Sequence, residues 1–160
     1  MADDLTSRPA TAVYDEDFFA WTQIQSDALR RAGAGGALPP DVDWERLSEE
    51  VGDMGKRDLR GAMNLTRRIL EHLYLLQASA SPHPRNHWKV EIAAFRADLE
   101  GELTPTIRLR IEDSLDDLHR RAARLMRDKL KLEEPETPEP NASLRWTLAQ
   151  ILGEADDPIG

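Results

Sequence analysis

Hydrophobic side chains recur every three or four residues along most of this chain, and the clearest case lies between Lys56 and Gln77. The stripe within this segment consists of Leu59, Ala62, Thr66, Ile69, Leu73 and Leu76. Side chains with this spacing share one face of an α-helix. Mainly charged residues occupy the opposite face, but the run from Leu73 to Leu76 leaves no polar side. We predict that this segment is the central helix of a helical bundle, covered by several partners.

The segment before the central helix has the same period. Asp43 is a suitable N-cap for a helix. The apolar stripe that follows consists of Trp44, Leu47, Val51 and Met54. Glu50 lies on this stripe by its spacing, so we expect it to face inward. We expect Gly52 and Gly55 to kink or break the chain before the central helix, because glycine weakens helices.

Two long helices are predicted after the central one, beyond a turn at residues 79–84. The fourth helix covers about 85–103 and carries a stripe of large apolar side chains. Thr104 and Pro105 then form an N-cap followed by proline at the first helical position, which starts the fifth helix. The sequence therefore predicts an all-α, single-domain bundle of about five main helices plus a short C-terminal one.

The boundaries that follow from these patterns divide the chain into four parts. These are a disordered lead-in (1–12), a helical bundle (13–132) whose first helix begins near Asp15 or Glu16, a Pro/Glu-rich linker (133–143) and a C-terminal capping segment (144–160). The linker sequence offers no means of packing, because it is rich in proline and glutamate and poor in apolar side chains.

Composition narrows the class of protein. With 160 residues, 32% of them charged and 40% hydrophobic, the chain is typical of a soluble globular domain. No apolar run approaches the roughly 20 residues of a membrane span, and the N-terminus lacks the apolar core of a secretory signal. The chain contains no cysteine, which excludes disulfides and thiolate metal sites. We therefore predict a cytoplasmic protein with no membrane partner.

The net charge of −9 is unevenly distributed. Residues 1–55 contain 4 basic and 12 acidic side chains, residues 56–127 contain 14 and 10, and residues 128–160 contain 3 and 8. We interpret this as acidic ends that fold back onto a mildly basic middle; the alternative is a basic partner surface masked by acidic arms. Non-specific binding of nucleic acid is disfavoured, because phosphate affinity needs clustered, uncompensated Lys and Arg.

Short motifs with a defined order and spacing run through the chain. They are Tyr14-x-x-Asp17-Phe18-x-x-Trp21 with Gln25, Asp43-Trp44-x-x-Leu47-x-Glu49-Glu50, Met54-Gly55, Leu70-x-His72-Leu73, Arg85-x-x-Trp88-x-x-x-Ile92-x-x-x-Arg96 and Trp146-Thr147-Leu148. Together they resemble a bacterial family catalogued as domain of unknown function number twenty-nine, over about Tyr14 to Leu152. Leu76 stands about where that family often has a tryptophan. The resemblance implies an all-helical fold and brings no catalytic residues.

The candidate ligand-binding residues are four polar side chains on or beside apolar stripes: Glu50, His72, Arg85 and Arg96. Charged groups in such positions must be paired or reach water. We expect Glu50 to lie within about 4 Å of Arg96 or Arg85 as an ion pair that fixes helix register. The alternative interpretation is a pocket for a small anion, since arginine presents a fork that matches carboxylate and phosphate.

We predict no catalytic site, no metal site and no cofactor. The Glu-x-x-His pattern of helical di-metal sites is absent, since Glu71 directly precedes His72. His83 and His87 are four residues apart, but Pro84 between them argues against a shared helical face.

The interpretation that remains is a non-enzymatic protein-interaction or regulatory module, with a protein partner or self-association. A metal- or anion-binding sensor or enzyme using the four polar residues is the first alternative, and nucleic-acid binding by the basic middle is the second. The four tryptophans are expected to pack in the core, whereas exposed ones would indicate a partner surface. They are Trp21, Trp44, Trp88 and Trp146.

Overall fold

The structure, a computed structural model, describes residues 9–36, 39–79 and 82–159, with the backbone alone at 82 and 83. These residues form six α-helices and no β-strand: α1 (Ala10–Glu16), α2 (Phe18–Ala34), α3 (Trp44–Ala78), α4 (Pro82–Glu102), α5 (Pro105–Glu133) and α6 (Leu148–Leu152). The predicted all-α fold is confirmed. In the part of the chain so described, no helix is both long and apolar enough to span a bilayer.

The Cα positions separate into two compact units. The first unit contains Met1–Gly61 and Thr104–Arg108, and the second contains Ala62–Leu103 and Leu109–Gly160. In the first unit α1 begins at Ala10, earlier than the predicted start of the first helix. Most of the predicted lead-in, residues 1–8, lies outside the described residues.

Helix α3 continues without interruption through both glycines that were expected to break it. The glycines lie where α2 and α3 of the first unit are in close contact. A Cβ atom on Gly52 would lie 3.0 Å from Ser26 Oγ, and one on Gly55 would overlap Thr22 Oγ1. Gln23 Nε2 also donates a hydrogen bond of 3.1 Å to Gly52 O across this contact. The predicted break is therefore wrong, and the glycines serve close packing of the two helices.

The same contact explains why the predicted stripe in the first part of α3 faces the wrong way. On this part of α3 the buried positions are Ser48, Gly52 and Gly55, whereas the large side chains of Leu47 and Met54 are 42% and 40% exposed. On α2 the buried positions are Phe19, Ala20, Thr22 and Ser26, whereas Phe18, Trp21, Gln25 and Ala28 are half-buried. Small side chains line the helix contact because the backbones are so close, and larger side chains are displaced to its flanks.

We expect Gly55→Ala to lower the free energy of unfolding by about 1–3 kcal/mol. The added methyl group would meet Thr22 Oγ1, which is fully buried and donates a 2.7 Å hydrogen bond to Phe19 O. The control is Gly101→Ala in α4, where nothing lies within 4 Å of the new Cβ. That change should raise stability by up to about 1 kcal/mol, because alanine restricts the unfolded chain. Equal effects in urea denaturation would contradict the close packing.

Asp17 joins the starts of two helices in the first unit. Its side chain is only 2% exposed. Oδ1 accepts a 2.9 Å hydrogen bond from the Ala20 N–H, which caps α2, and Oδ2 accepts one of 2.7 Å from the Thr106 N–H at the start of α5. Thr104 Oγ1 accepts from the Ile107 N–H at 3.3 Å, which confirms the predicted cap of the helix that Pro105 begins.

The second unit contains the predicted central stripe except Leu59, which is half-buried and belongs to the first unit. The buried residues of α3 in the second unit include Ala62, Thr66, Ile69, Leu70, Leu73, Tyr74, Leu75 and Leu76. The prediction that the Leu73–Leu76 run is covered on all sides is therefore confirmed.

The segment after α5 is packed, contrary to our expectation. Pro140 is buried, and the Asn141 N–H donates a 2.8 Å hydrogen bond to Gln77 Oε1. Lys131 Nζ lies 2.9 Å from Glu139 Oε1. The composition argument failed because a proline ring is itself apolar and a few specific bonds can hold a segment that has no hydrophobic stripe.

Candidate functional site

Glu50 is exposed rather than inward-facing. The buried positions nearest to it are Ser48 and Gly52, each two residues away, and two residues turn a helix by about 200°. Glu50 therefore points to the side of α3 opposite the buried face. It makes no hydrogen bond or ion pair with any other residue in the described ranges. The prediction of an inward Glu50 paired with arginine is wrong.

Arg85 binds main-chain oxygens instead of a carboxylate. Its Nη1 donates to Leu76 O at 2.5 Å and to Ser79 O at 2.8 Å. These carbonyls lie at the C-terminal end of α3, where the last carbonyl groups of a helix have no intrahelical partner and carry partial negative charge. Arg85 thus caps the C-terminal end of α3.

Arg96 has the same role at the C-terminal end of α6. Its Nε donates to Ile151 O at 2.8 Å and its Nη2 to Gln150 O at 3.2 Å. The guanidinium also forms a bidentate pair with the Asp157 carboxylate, at 3.0 and 2.9 Å. This hydrogen-bonded contact lowers the pKa of Asp157 below its usual value. The side chain of Arg96 is only 14% exposed, so most of its donors are committed.

His72 lies between a carbonyl and a carboxylate of the second unit. Nδ1 is 2.8 Å from Arg68 O, and Nε2 is 2.6 Å from Glu91 Oε2. The Phe95 ring packs edge-on against the imidazole, at 5.5 Å between centroids. His87 Nε2 lies 3.4 Å from the same Glu91 oxygen.

Of the four predicted site residues, Glu50 belongs to the first unit and the other three belong to the second. No hydrogen bond or ion pair joins any two of His72, Arg85 and Arg96 within the described ranges. Sequence reasoning missed Glu91, although it lies four residues after His87 at the spacing of one helical face. Pro84 lies in the first turn of α4, where a missing N–H costs little, so it does not separate the histidines as we argued. The side chain of His83 lies outside the described residues.

A buried histidine links the C-terminal segment to two helices of the second unit. His119 is 1% exposed, and its Nε2 lies 2.9 Å from Trp146 O. A carbonyl only accepts, so Nε2 carries a proton, and Nδ1 lies 2.9 Å from the Tyr74 hydroxyl, which also donates a 3.1 Å hydrogen bond to Leu144 O. Burial lowers the pKa of His119 below 6.5, which favours the neutral form. The indole of Trp146 stacks on the ring, so the arrangement anchors residues 144–147.

An aromatic surface lies at α1 and the start of α2 in the first unit. Tyr14 is 49% exposed, and its ring packs edge-on against Trp21 and Phe18, with centroids 4.9 and 5.4 Å away. Beside it is a groove of about 390 Å³ lined by Ala10, Thr11, Tyr14, Asp15, Trp21 and Gln25. We call this the aromatic groove. Sequence reasoning expected Trp21 in the core and placed Ala10 and Thr11 in a disordered lead-in, so it did not predict this groove.

The tryptophans do not all lie in the core. Trp88 is buried, whereas Trp21, Trp44 and Trp146 are half-buried. Trp44 Nε1 donates a long 3.3 Å hydrogen bond to Pro39 O, and Trp146 packs on His119 and Tyr74. Trp21 differs from these, because its ring lines the aromatic groove and has Tyr14 and Phe18 as aromatic neighbours.

Comparison with known proteins agrees with this description. An alpha-helical protein of unknown function from Rhodospirillum rubrum ATCC 11170, known from a crystal structure at 1.45 Å resolution, is 30% identical. The two superpose with a TM-score of 0.77, over 91% of this chain and 92% of that one. No curated protein matches the sequence. Residues 13–155 match the family described as "Domain of unknown function DUF29". The chain therefore belongs to the DUF29 family.

Proposed function

We propose that this protein is a non-enzymatic interaction module that binds a basic segment of a partner protein in the aromatic groove. The observation that carries the proposal is the exposure of large apolar side chains in the first unit. Glycine and small polar residues occupy the contact between α2 and α3, while Tyr14 and Trp21 line an open groove. Tyrosine and tryptophan are the side chains that most often dominate protein interfaces.

Charge supports a basic partner over an acidic or neutral one. Residues 10–29 contain four acidic residues and no Lys or Arg. Of these, Asp17 is buried where it caps two helices, whereas Asp15 is exposed and lines the groove. A Lys or Arg side chain of the partner can lie over an aromatic ring with its charge close to the Asp15 carboxylate. A cation over an aromatic face is stabilised by about 0.5–2 kcal/mol.

The dimensions of the groove suit a few side chains of an extended or helical segment. A space of about 390 Å³ lies within the range of sites that enclose small ligands or single anchoring side chains. The alternative anion site has less support, because most donors of Arg96 are used by carbonyls and by Asp157, and Nη1 of Arg85 is used by two carbonyls.

We expect a fluorescently labelled amphipathic peptide of about 14 leucines and lysines to bind this protein with a micromolar Kd. The same peptide with glutamate in place of lysine should not bind. Tyr14→Ala should weaken binding roughly tenfold, as for an interface anchor. Asp15→Asn should weaken it severalfold through the lost charge. Fluorescence anisotropy measures all of these affinities.

The matched control is Asp27→Asn, which removes an equal and exposed charge from α2 outside the groove. It should leave the Kd within about twofold. An equal loss of affinity in Asp15→Asn and Asp27→Asn would show that only the net charge of the protein affects binding. It would refute the groove as the binding site. Sedimentation that shows a dimer abolished by Tyr14→Ala would identify a second copy as the occupant and would equally refute a basic partner.

A further inference from the structure

We propose that residues 144–147 form a pH-sensitive strap, which lies closed against α3 and α5 while His119 is neutral and opens when acid protonates this ring. The strap belongs to the second unit, and the proposal is independent of the aromatic groove. Three features of the molecule support it: the bonds that hold the strap, the burial of the ring and the charges around it.

Two main-chain carbonyl groups of the strap contact polar atoms of the helices beneath it. His119 Nε2 on α5 lies 2.9 Å from Trp146 O, and the Tyr74 hydroxyl on α3 donates a 3.1 Å hydrogen bond to Leu144 O. The same hydroxyl lies 2.9 Å from His119 Nδ1, so both contacts belong to one hydrogen-bonded chain. The Trp146 indole stacks on the imidazole, and the residues of the strap lie outside the helices. The attachment of the strap therefore passes through His119.

A positive charge on His119 would be buried without a carboxylate partner. The residue is 1% exposed, and it forms no ion pair with a carboxylate in the described ranges. Asp116 would favour the charge, but its side chain is 83% exposed and lies 3.3 Å from Arg145 Nε. Arg145, a residue of the strap, brings a positive charge near the ring and opposes a second one. A buried cation without a partner is unfavourable.

The other ionisable groups around the ring do not supply the missing negative charge. Burial raises the pKa of Tyr74 above its usual value of 10, so this hydroxyl stays neutral in the acid range. Glu112 and Asp113 line a cavity of about 280 Å³ beside His119, but both residues are exposed. Water and salt screen the charges of such exposed groups.

The hydrogen bonds alone would tolerate an extra proton, and burial decides against it. A protonated Nδ1 of His119 can donate to the Tyr74 oxygen while the Tyr74 hydroxyl still donates to Leu144 O. The face of the Trp146 indole also stabilises a cation. Burial has the larger effect, because it is the main reason that the pKa of His119 lies below 6.5. The closed strap therefore resists protonation.

Opening of the strap exposes the ring to water, where histidine has a pKa of about 6.5. The open form thus binds a proton more tightly than the closed form, and acid favours opening. Above about pH 6.5 the ring is neutral in both forms, so opening does not depend on pH. As the pH falls below this value, the opening equilibrium rises by at most about tenfold for each pH unit, until the closed form is protonated as well.

The test is hydrogen exchange of the full chain, measured by mass spectrometry at about pH 7.5 and about pH 5.5 and corrected for the intrinsic effect of pH on exchange. We expect peptides that cover the strap to open severalfold more at the lower pH, up to about tenfold. His119→Gln should abolish this dependence, because an amide can donate to Trp146 O but does not titrate. The matched control is His87→Gln on α4, whose side chain is 69% exposed, and it should retain the dependence.

Equal opening of the strap at the two pH values in the unaltered protein would overturn the proposal. An undiminished dependence in His119→Gln would do the same, because another group would then control the strap. An NMR titration of the His119 ring in the unaltered protein decides the question if that variant does not fold. A midpoint below about 6.5 is expected, whereas a midpoint at or above this value would show that the closed strap accepts the proton.

Discussion

Replacing Asp17 with alanine should lower the free energy of unfolding by about 3–5 kcal/mol. Both carboxylate oxygens accept hydrogen bonds from main-chain N–H groups, at 2.9 Å from Ala20 and 2.7 Å from Thr106. A hydrogen bond to a charged group contributes about 1.5–3 kcal/mol. The carboxylate also lies at the positive ends of α2 and α5, which adds a favourable dipole interaction. Urea denaturation followed by circular dichroism measures the loss.

Two further variants test this explanation. Asp17→Asn retains one acceptor oxygen but presents an NH₂ group to the second N–H donor, so its loss should be intermediate. Asp15→Ala removes an exposed carboxylate two residues away and should change stability by no more than about 0.5 kcal/mol. A loss below about 1 kcal/mol for Asp17→Ala would mean that Asp17 does not join the two helix starts.

Ile69→Ala should lower the free energy of unfolding by about 2–5 kcal/mol, as for other truncations of buried aliphatic side chains. Ile69 is fully buried at the centre of the stripe on α3. The loss combines the transfer of the removed methyl and methylene groups to water with the cavity that remains. Chemical denaturation at constant pH provides the measurement.

The control for this prediction is Leu109→Ala on α5, where the side chain is 60% exposed. It should cost no more than about 0.5 kcal/mol. Ile69→Val leaves a smaller cavity and should cost about 0.5–1.5 kcal/mol. If Ile69→Ala behaved like Leu109→Ala, the direction in which the central part of α3 faces would have to be revised.

The parts of the fold that were predicted correctly depend on hydrophobic burial. The stripe containing Ile69 and Leu73 is buried, because large aliphatic groups gain most from leaving water. The start of α5 at Pro105 was also predictable, since proline suits the first helical turn and Thr104 has the side chain of an N-cap. These signals are local, and they do not depend on which helix packs against which.

The orientation of α2 and of the first part of α3 depends on a contact that local patterns do not show. Hydrophobicity places Leu47 and Met54 inside, but the backbones meet over Gly52 and Gly55 and leave those larger side chains at the surface. A glycine in a helical sequence is equally consistent with a weak point and with close packing. The position of Thr22 opposite Gly55 shows that the glycine serves close packing.

The candidate site was mispredicted for a related reason. An arginine on an apolar stripe needs hydrogen-bond acceptors. We expected these acceptors to be carboxylate side chains. Most acceptors of Arg85 and Arg96 are main-chain carbonyl groups at helix ends. Every residue has such a carbonyl group, so the sequence does not indicate which ones an arginine binds. The partner of His72 is Glu91, which sequence reasoning did not consider.

The binding of Arg96 to carbonyl groups affects how freely the C-terminal helix can diverge in evolution. Carbonyl groups of Gln150 and Ile151 remain whatever side chains these positions carry, so substitutions there leave the attachment available. The residues that cannot be replaced freely are Arg96 and Gly153. Gly153 has φ +76°, and a Cβ atom added there would lie 2.9 Å from Arg96 Nη1. Substitutions at positions 150 and 151 therefore leave the acceptors of Arg96 in place, provided that one arginine and one glycine persist.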